Sequence, residues 1–225
     1  MPDLYVAKYT VTNQHYRRFI DYLDAKEPES GIKGFSDWLN EKPSLISSFR
    51  SRYDDDKRFN KDDQPVVGVS WYAAKAWCLW LSLLEGEKKV CYRLPNEQEW
   101  EWAAGGQRDK RDTVLKVRDY PWPEEKGKPD KTRANYNNHE GGTTPVGRYS
   151  EGATPEGLYD MAGNVWEWTE DWYDEDKDRR SLCGGDYSDK ADALRCSSRL
   201  NSSPRNWFNN NVGFRVIRSS HSSSS

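Results

Sequence analysis

The stretch Gly157-Leu-Tyr-Asp-Met-Ala-Gly-Asn-Val-Trp-Glu-Trp-Thr-Glu-Asp-Trp-Tyr173 divides the chain in two. Before it, residues 106–159 are dense in Gly, Pro, Asn and Thr, a composition that predicts loops with little regular structure. Within it, Val165–Thr169 reads as an alternating strand whose two tryptophans flank Glu167. Beyond it, Asp171–Asp178 reads as a solvated acidic loop, Leu194–Arg199 as a second strand, and Val212–Ile217 as the closing strand. The N-terminal half is helical in pattern. Tyr16, Phe19, Ile20 and Leu23 recur at helical spacing behind a cap at Thr12 or Asn13. Ser70 caps a second helix that buries Ala73, Ala74, Trp77, Leu81 and Leu84. Asn96 with Glu99 makes a capping box for a third, which ends at a Gly105-Gly106 C-cap. Between the first two helices, residues 31–63 read as a polar excursion over the surface, and Pro65–Val69 as an extended approach to the second. Helices first and short strands later predict an α+β domain and not a doubly wound sheet.

Composition bounds the rest. The 225 residues carry 34 Lys+Arg against 37 Asp+Glu, a net charge of −3 that argues against a nucleic-acid partner. No apolar run reaches the ~18 residues of a membrane span. The opening MPDLYVAKYT lacks the layout of a secretion signal, so the default expectation is a cytoplasmic protein. Hydrophobic residues make up only 35%, but 11 Trp, 13 Tyr and 6 Phe are among them. Each buried aromatic removes ~150–250 Å² from water, so the composition predicts one aromatic-cored, loop-rich domain. Cys78, Cys91, Cys183 and Cys196 form no CxxC pair, and His15, His139 and His221 share no metal-ligand spacing.

Five collinear blocks then carry a resemblance: YTVTNQHYRRFID (9–21), PVVGVSWYAAKAWCLWLS (65–82), YRLPNEQEWEWAAGG (92–106), TPVGRYSEGATPEGLYDMAGNVWEWTEDWY (144–173) and NNVGFRVIR (210–218). Together they resemble the formylglycine-generating enzyme (sulfatase-modifying factor) domain family. That resemblance implies a C-type-lectin-like fold with a short twisted antiparallel sheet, as one domain over residues 1–218, followed by a disordered tail at 219–225. The family's opening Gly-rich strand, ahead of the first helix, is missing as a pattern.

The family's oxidase members bind copper through two nearby cysteines after a Gly-Gly. Here Gly184-Gly185 is followed by Ser188, Asp189, Lys190 and Ala193 where those cysteines would stand, while Cys196 matches a position outside the pair and Cys183 precedes the turn. No catalytic residue and no copper are therefore expected. A related sulfoxide synthase would need an added His-rich iron-binding domain. A second branch fits better. Gly-Gly, an Arg-x-x-x-Arg, a polar run with Pro204 and a closing Asn-x-Gly-Phe-Arg resemble the variable proteins of diversity-generating retroelements, in which template adenines are mutated to rewrite chosen codons.

On that resemblance the variable, ligand-binding positions are Asp186, Tyr187, Ser188, Asp189, Asp192, Ala193, Ser198, Leu200, Asn201, Ser202, Ser203, Arg205, Asn206 and Phe208, within a variable region at about 184–212. Each is reachable from an Asn codon by adenine changes. Lys190 and Trp207 are not, and Asn209–Asn211 look like undiversified template. The interleaved Gly184, Gly185, Ala191, Leu194, Arg195, Arg199, Pro204, Gly213, Phe214 and Arg215 read as a fixed frame. The mix of aromatic and adaptable polar residues suits a paratope-like face for a macromolecular, protein partner. A family-type oxidase and an accessory or sensor domain are the competing readings.

The resemblance also implies structural calcium. Asp160, Gly163, Val165 and Glu167 match one family calcium site, with hard oxygen ligands that suit the ion. The competing reading pairs Glu167 with a buried Arg. Asn135, Tyr136, Asn138 and Glu140 map to a second, shorter site.

Overall fold

The structure is a computed structural model, and it describes residues 4–25, 49–85, 91–107, 116–202 and 209–219. The expected strand and helix classes hold, with shifts whose causes are local. Helix α1 (Asn13–Asp24) is capped by Thr12, whose hydroxyl accepts from the His15 amide. Helix α2 (Trp71–Leu84) is capped by Ser70. Helix α3 (Glu97–Gly105) carries the full capping box, with Asn96 accepting from the Glu99 amide and the Glu99 carboxylate accepting from the Asn96 amide. Gly106 is the C-cap, as expected, and holds an extended conformation with φ −61°. Its glycine is required on steric grounds: a Cβ there would lie 2.1 Å from the Trp102 ring.

The remaining described strands are β1 (Leu4–Val6), β2 (Tyr92–Arg93), β3 (Gly106–Gln107), β4 (Lys116–Val117), β5 (Trp166–Trp172), β6 (Arg180–Cys183), β7 (Arg199–Ser202), β8 (Val212–Gly213) and β9 (Ile217–Ser219). They form a three-stranded sheet β1-β9-β2, a hairpin β3-β4, and a four-stranded sheet β7-β6-β5-β8 in which only the β5–β8 pair is parallel. The position ahead of α1 does hold a strand, β1, paired antiparallel to β9. Its signal was invisible because β1 is three residues long and half-buried.

Three strand predictions need correction. Residues 194–198 are not extended: Ala191–Leu194 forms a 3₁₀ turn, and β7 starts only at Arg199. The closing motif is not one strand. β8 joins β5 in the larger sheet, the chain crosses at Phe214–Val216, and β9 enters the other sheet. Likewise Trp166, Glu167, Trp168 and Thr169 are all buried, so β5 is covered on both faces and lacks the wet side that alternation implies.

The core is aromatic as composition predicted. Tyr16 and Phe19 of α1, Trp77 and Trp80 of α2, Trp166 and Trp168 of β5, and Phe214 share one cluster. Rings meet edge-on, as Trp77 does on Phe214 with centroids 5.7 Å apart. The extended Val66–Val69 approach is buried. In the described part of the 31–63 excursion, Phe49 and Phe59 also turn inward, which the polar composition concealed.

Candidate ligand-binding face

The candidate face begins where β6 ends. Gly184 (φ +105°) and Gly185 (φ +74°) turn the chain in a backbone region that disfavours L side chains. A Cβ on Gly185 would press on the Ala193 carbonyl at 2.9 Å. The next residue, Asp186, is buried and organises the turn. Its Oδ1 accepts from the Ser188 amide (2.6 Å), the Ser188 hydroxyl (2.7 Å) and the Asp189 amide (3.2 Å), and its other oxygen accepts from the Asn211 side-chain amide.

A neighbouring loop is fastened to this turn by backbone alone. The Asn137 and Asn138 amides donate to the Asp189 and Tyr187 carbonyls, both at 2.7 Å. Both asparagines are left-handed (φ 54° and 57°), a conformation that Asn tolerates better than most residues. The Asn137-Asn138 dipeptide was the sequence signal for this loop. After the 3₁₀ turn, Leu194 packs into Tyr120, Trp122, Ala134 and Ala162. The Cys196 amide donates to the Asp119 carbonyl at 2.9 Å. Arg199, at the start of β7, is held between Glu97 (3.2 Å) and Glu101 (3.0 Å) of α3. β7 then pairs in register with β6, Leu200 opposite Leu182.

The expected variable positions therefore divide. Ser188, Asp192 and Leu200 are exposed, Leu200 at 40% despite being apolar. Asp189, Ala193, Ser198 and Asn201 are half-buried. Asp186 and Tyr187 are buried, which corrects their placement on an exposed face. Asp186 builds the turn, and Tyr187 packs in a cluster with Phe59, Val67 and Val165. Ser203, Arg205, Asn206 and Phe208, and the side chain of Ser202, lie outside the described residues, as does the tail beyond Ser219.

All four cysteines are buried and free. Cys183 and Cys196 fall in one small cluster with Trp100, Ala104 and Met161. Burial pushes the Cys196 thiol up to about 12 and raises Cys183 further in the same direction. Copper binding and thiol exchange need thiolate, so these groups are poorly suited to either.

The carboxylate of the first expected calcium quartet is already engaged. Glu167 is fully buried and forms a bidentate pair with equally buried Arg215. Arg215 Nε donates to Oε2 and Nη2 to Oε1, each at 2.7 Å. Trp100 Nε1 donates to Oε2 as well, at 2.7 Å. The Gly163 carbonyl accepts from the Val165 amide, and Asp160 Oδ2 from the Gly147 amide. The quartet is thus not a free donor set. In the second, Asn135 is buried with its Oδ1 lacking a donor, but the Tyr136 carbonyl accepts from the His139 amide and Glu140 pairs with Arg148 at 3.0 Å. Among the described residues no group of three or more His, Cys, Asp or Glu converges as a metal site.

Among the described residues, three helices packed with short-stranded sheets and joined by ordered loops define a C-type-lectin-like fold of the formylglycine-generating-enzyme type. The chain belongs to the sulfatase-modifying factor enzyme 1-like domain family, whose model matches residues 1–220. Among curated relatives, it is 32% identical over 235 residues to serine/threonine-protein kinase Pkn1 of Chlamydia trachomatis serovar L2, covering 97% of this chain and 33% of that one. It is 36% identical over 170 residues to inactive C-alpha-formylglycine-generating enzyme 2 of Bos taurus, covering 67% and 49%. The chain thus spans a third to a half of these relatives' length. Among solved structures, PvdO from Pseudomonas aeruginosa superposes with a TM-score of 0.63 at 24% identity, covering 96% of this chain and 80% of that one. Treponema denticola variable protein 1 gives 0.58 at 26% identity, covering 78% and 80%.

Proposed function

We propose that this domain is a non-catalytic ligand-binding module that presents a substitutable face, within residues 184–212, to a protein partner. The observation that carries this reading is how the segment is held. Its frame residues are buried or clamped: Gly184, Gly185, Leu194, Cys196, Arg199, Val212 and Phe214. Interleaved side chains at Ser188, Asp192, Ser197 and Leu200 project from it. The loop at Asn137-Asn138 attaches through main-chain bonds, which side-chain replacement at Ser188 or Asp189 leaves in place. A backbone fixed independently of its side chains is the physical requirement for a variable recognition surface. The likeness to Treponema denticola variable protein 1 agrees with it, and the buried, unionised thiols argue against the oxidase alternative.

Sequencing the gene in related isolates tests the proposal. Substitutions should concentrate at the exposed positions, with a near-copy of the segment nearby, and evenly scattered substitutions would overturn it. Incubation with copper and a Cys-x-Pro-x-Arg peptide should leave the peptide cysteine unchanged, and aldehyde formation would restore the enzyme reading. A second reading, an accessory module within a larger chain, is favoured by the match of 97% of this chain to one third of a kinase-named relative. Gene neighbourhood and reading-frame length distinguish it from a stand-alone receptor.

A further inference from the structure

Against the candidate face stands a loop that lies outside residues 184–212. Residues 137–141 are exposed without a break, whereas Asn135 and Gly142 on either side are buried. The loop is nevertheless stiff. Asn135 Nδ2 closes its base by donating to the Gly142 carbonyl at 2.9 Å, and the Asn135 carbonyl accepts from the Asn164 amide at 2.8 Å. The His139 amide donates to the Tyr136 carbonyl, and the two rings meet edge-on with centroids 5.3 Å apart. The Tyr136 hydroxyl in turn donates to the Pro129 carbonyl at 3.0 Å.

Its position is as definite as its shape. The carbonyls that receive the Asn137 and Asn138 amides belong to Asp189 and Tyr187, the two neighbours of exposed Ser188. Main-chain bonds of this kind hold the paired segments about 5 Å apart. An ordinary protein–protein interface takes ~800 Å² from each partner, a patch on the order of 30 Å across. A partner seated over Ser188 therefore covers the loop as well. Among the described residues, the side chains of Asn137, Asn138 and His139 make no hydrogen bond or ion pair, so they are free to meet it. Each Asn side chain both donates and accepts, which matches a peptide group whatever residue carries it.

We propose, on the reading of residues 184–212 as a binding face, that Asn137, Asn138 and His139 are a constant part of the same recognition surface and contact the main chain of the protein partner. The variable side chains supply selectivity, and the loop supplies affinity that does not depend on the partner's sequence. Because the loop is fastened through main-chain atoms alone, replacement of Ser188 or Asp189 side chains leaves this part of the surface in place.

A display library of this domain, randomised at Ser188, Asp192, Ser197 and Leu200 and selected against streptavidin as the probe, tests the proposal. Independent binders are then remade with Asn137→Gly, Asn138→Gly and His139→Ala together. Glycine keeps the left-handed backbone at both asparagines, so the melting temperature should not change. Affinity for streptavidin should fall by about tenfold or more in most binders, as loss of a few central contacts does. Glu175→Ala, an exposed position at the opposite end of the β5–β6 hairpin, should leave it unaltered. Binders that keep their affinity within about twofold after the triple replacement, or that lose as much with Glu175→Ala, would overturn the proposal while leaving the binding-face reading intact. Recovery of no binder from a library whose members fold would overturn that reading, and the constant loop with it.

Discussion

At the residue scale, the Glu167–Arg215 pair connects distant parts of the chain. Besides binding Glu167, Arg215 donates to the Ala7 carbonyl (3.1 Å) and the Tyr159 carbonyl (2.9 Å), so one side chain joins the N-terminal segment, the long loop and β5. Removing one member of such a pair leaves its partner charged and buried, which costs about 3–5 kcal/mol. Arg215→Met and Glu167→Ala should each lower the urea midpoint accordingly, while a double replacement by apolar residues should recover part of the loss. The sequence displayed both residues, each inside a quoted motif, and it raised pairing with a buried Arg as one of two readings. Which Arg was involved depended on a 48-residue separation that only packing resolves. Tyr187 makes the opposite point. Its type suits a binding face, yet its ring meets Phe59 at 5.8 Å between centroids. Tyr187→Ala should cost about 3 kcal/mol, as core aromatic deletions do, whereas Leu200→Ala should stay within about 0.5 kcal/mol. Chemical denaturation of the two variants checks this contrast.

At the element scale, the three helices were legible because caps and periodicity are local. Asn96→Ala, which removes one half of the capping box, should cost about 1 kcal/mol in the same assay. The strands were less legible for a physical reason. Those of the smaller sheet are two or three residues long, and β6 (Arg-Ser-Leu-Cys) is buried at every position, so neither offers a period to read. The 3₁₀ turn at Ala191–Leu194 was misread because a run with Leu194 and Cys196 buried and Ser197 exposed mimics alternation. The candidate frame was legible through Gly-Gly and Gly-Phe-Arg. The Asn137-Asn138 loop carried a local turn signal, but its attachment to the face was not legible, since it reaches the face from elsewhere in the chain.

At the scale of the whole molecule, two buried or half-buried acids set a pH dependence. Burial raises Asp160 to about 6, and burial together with the neighbouring Asp186 charge raises Asp189 to about 6, from 3.8. In the folded state both groups hold protons more tightly than in the unfolded chain. Their contribution to stability is therefore greatest below pH 4 and falls as pH rises through 6. Asp160→Asn and Asp189→Asn should each flatten the curve between pH 4 and 6 relative to the parent, and should stabilise most near pH 7. Urea midpoints measured from pH 4 to 8 for parent and variants decide it.

The pairing of β1 with β9 sets Leu4 opposite Ser219. In an antiparallel pair such partners are only about 5 Å apart. The path into this fold and the path out of it therefore share one doorway. A domain built that way can be spliced into a surface loop of a host protein as a cassette, with little strain on either side. The same geometry allows the two ends to be joined by a short glycine linker and the chain reopened at the exposed Asp174–Asp178 turn. Such a circular permutant should retain the parent's far-ultraviolet dichroism and its cooperative melt, and a loss of cooperativity would show that the doorway must stay open.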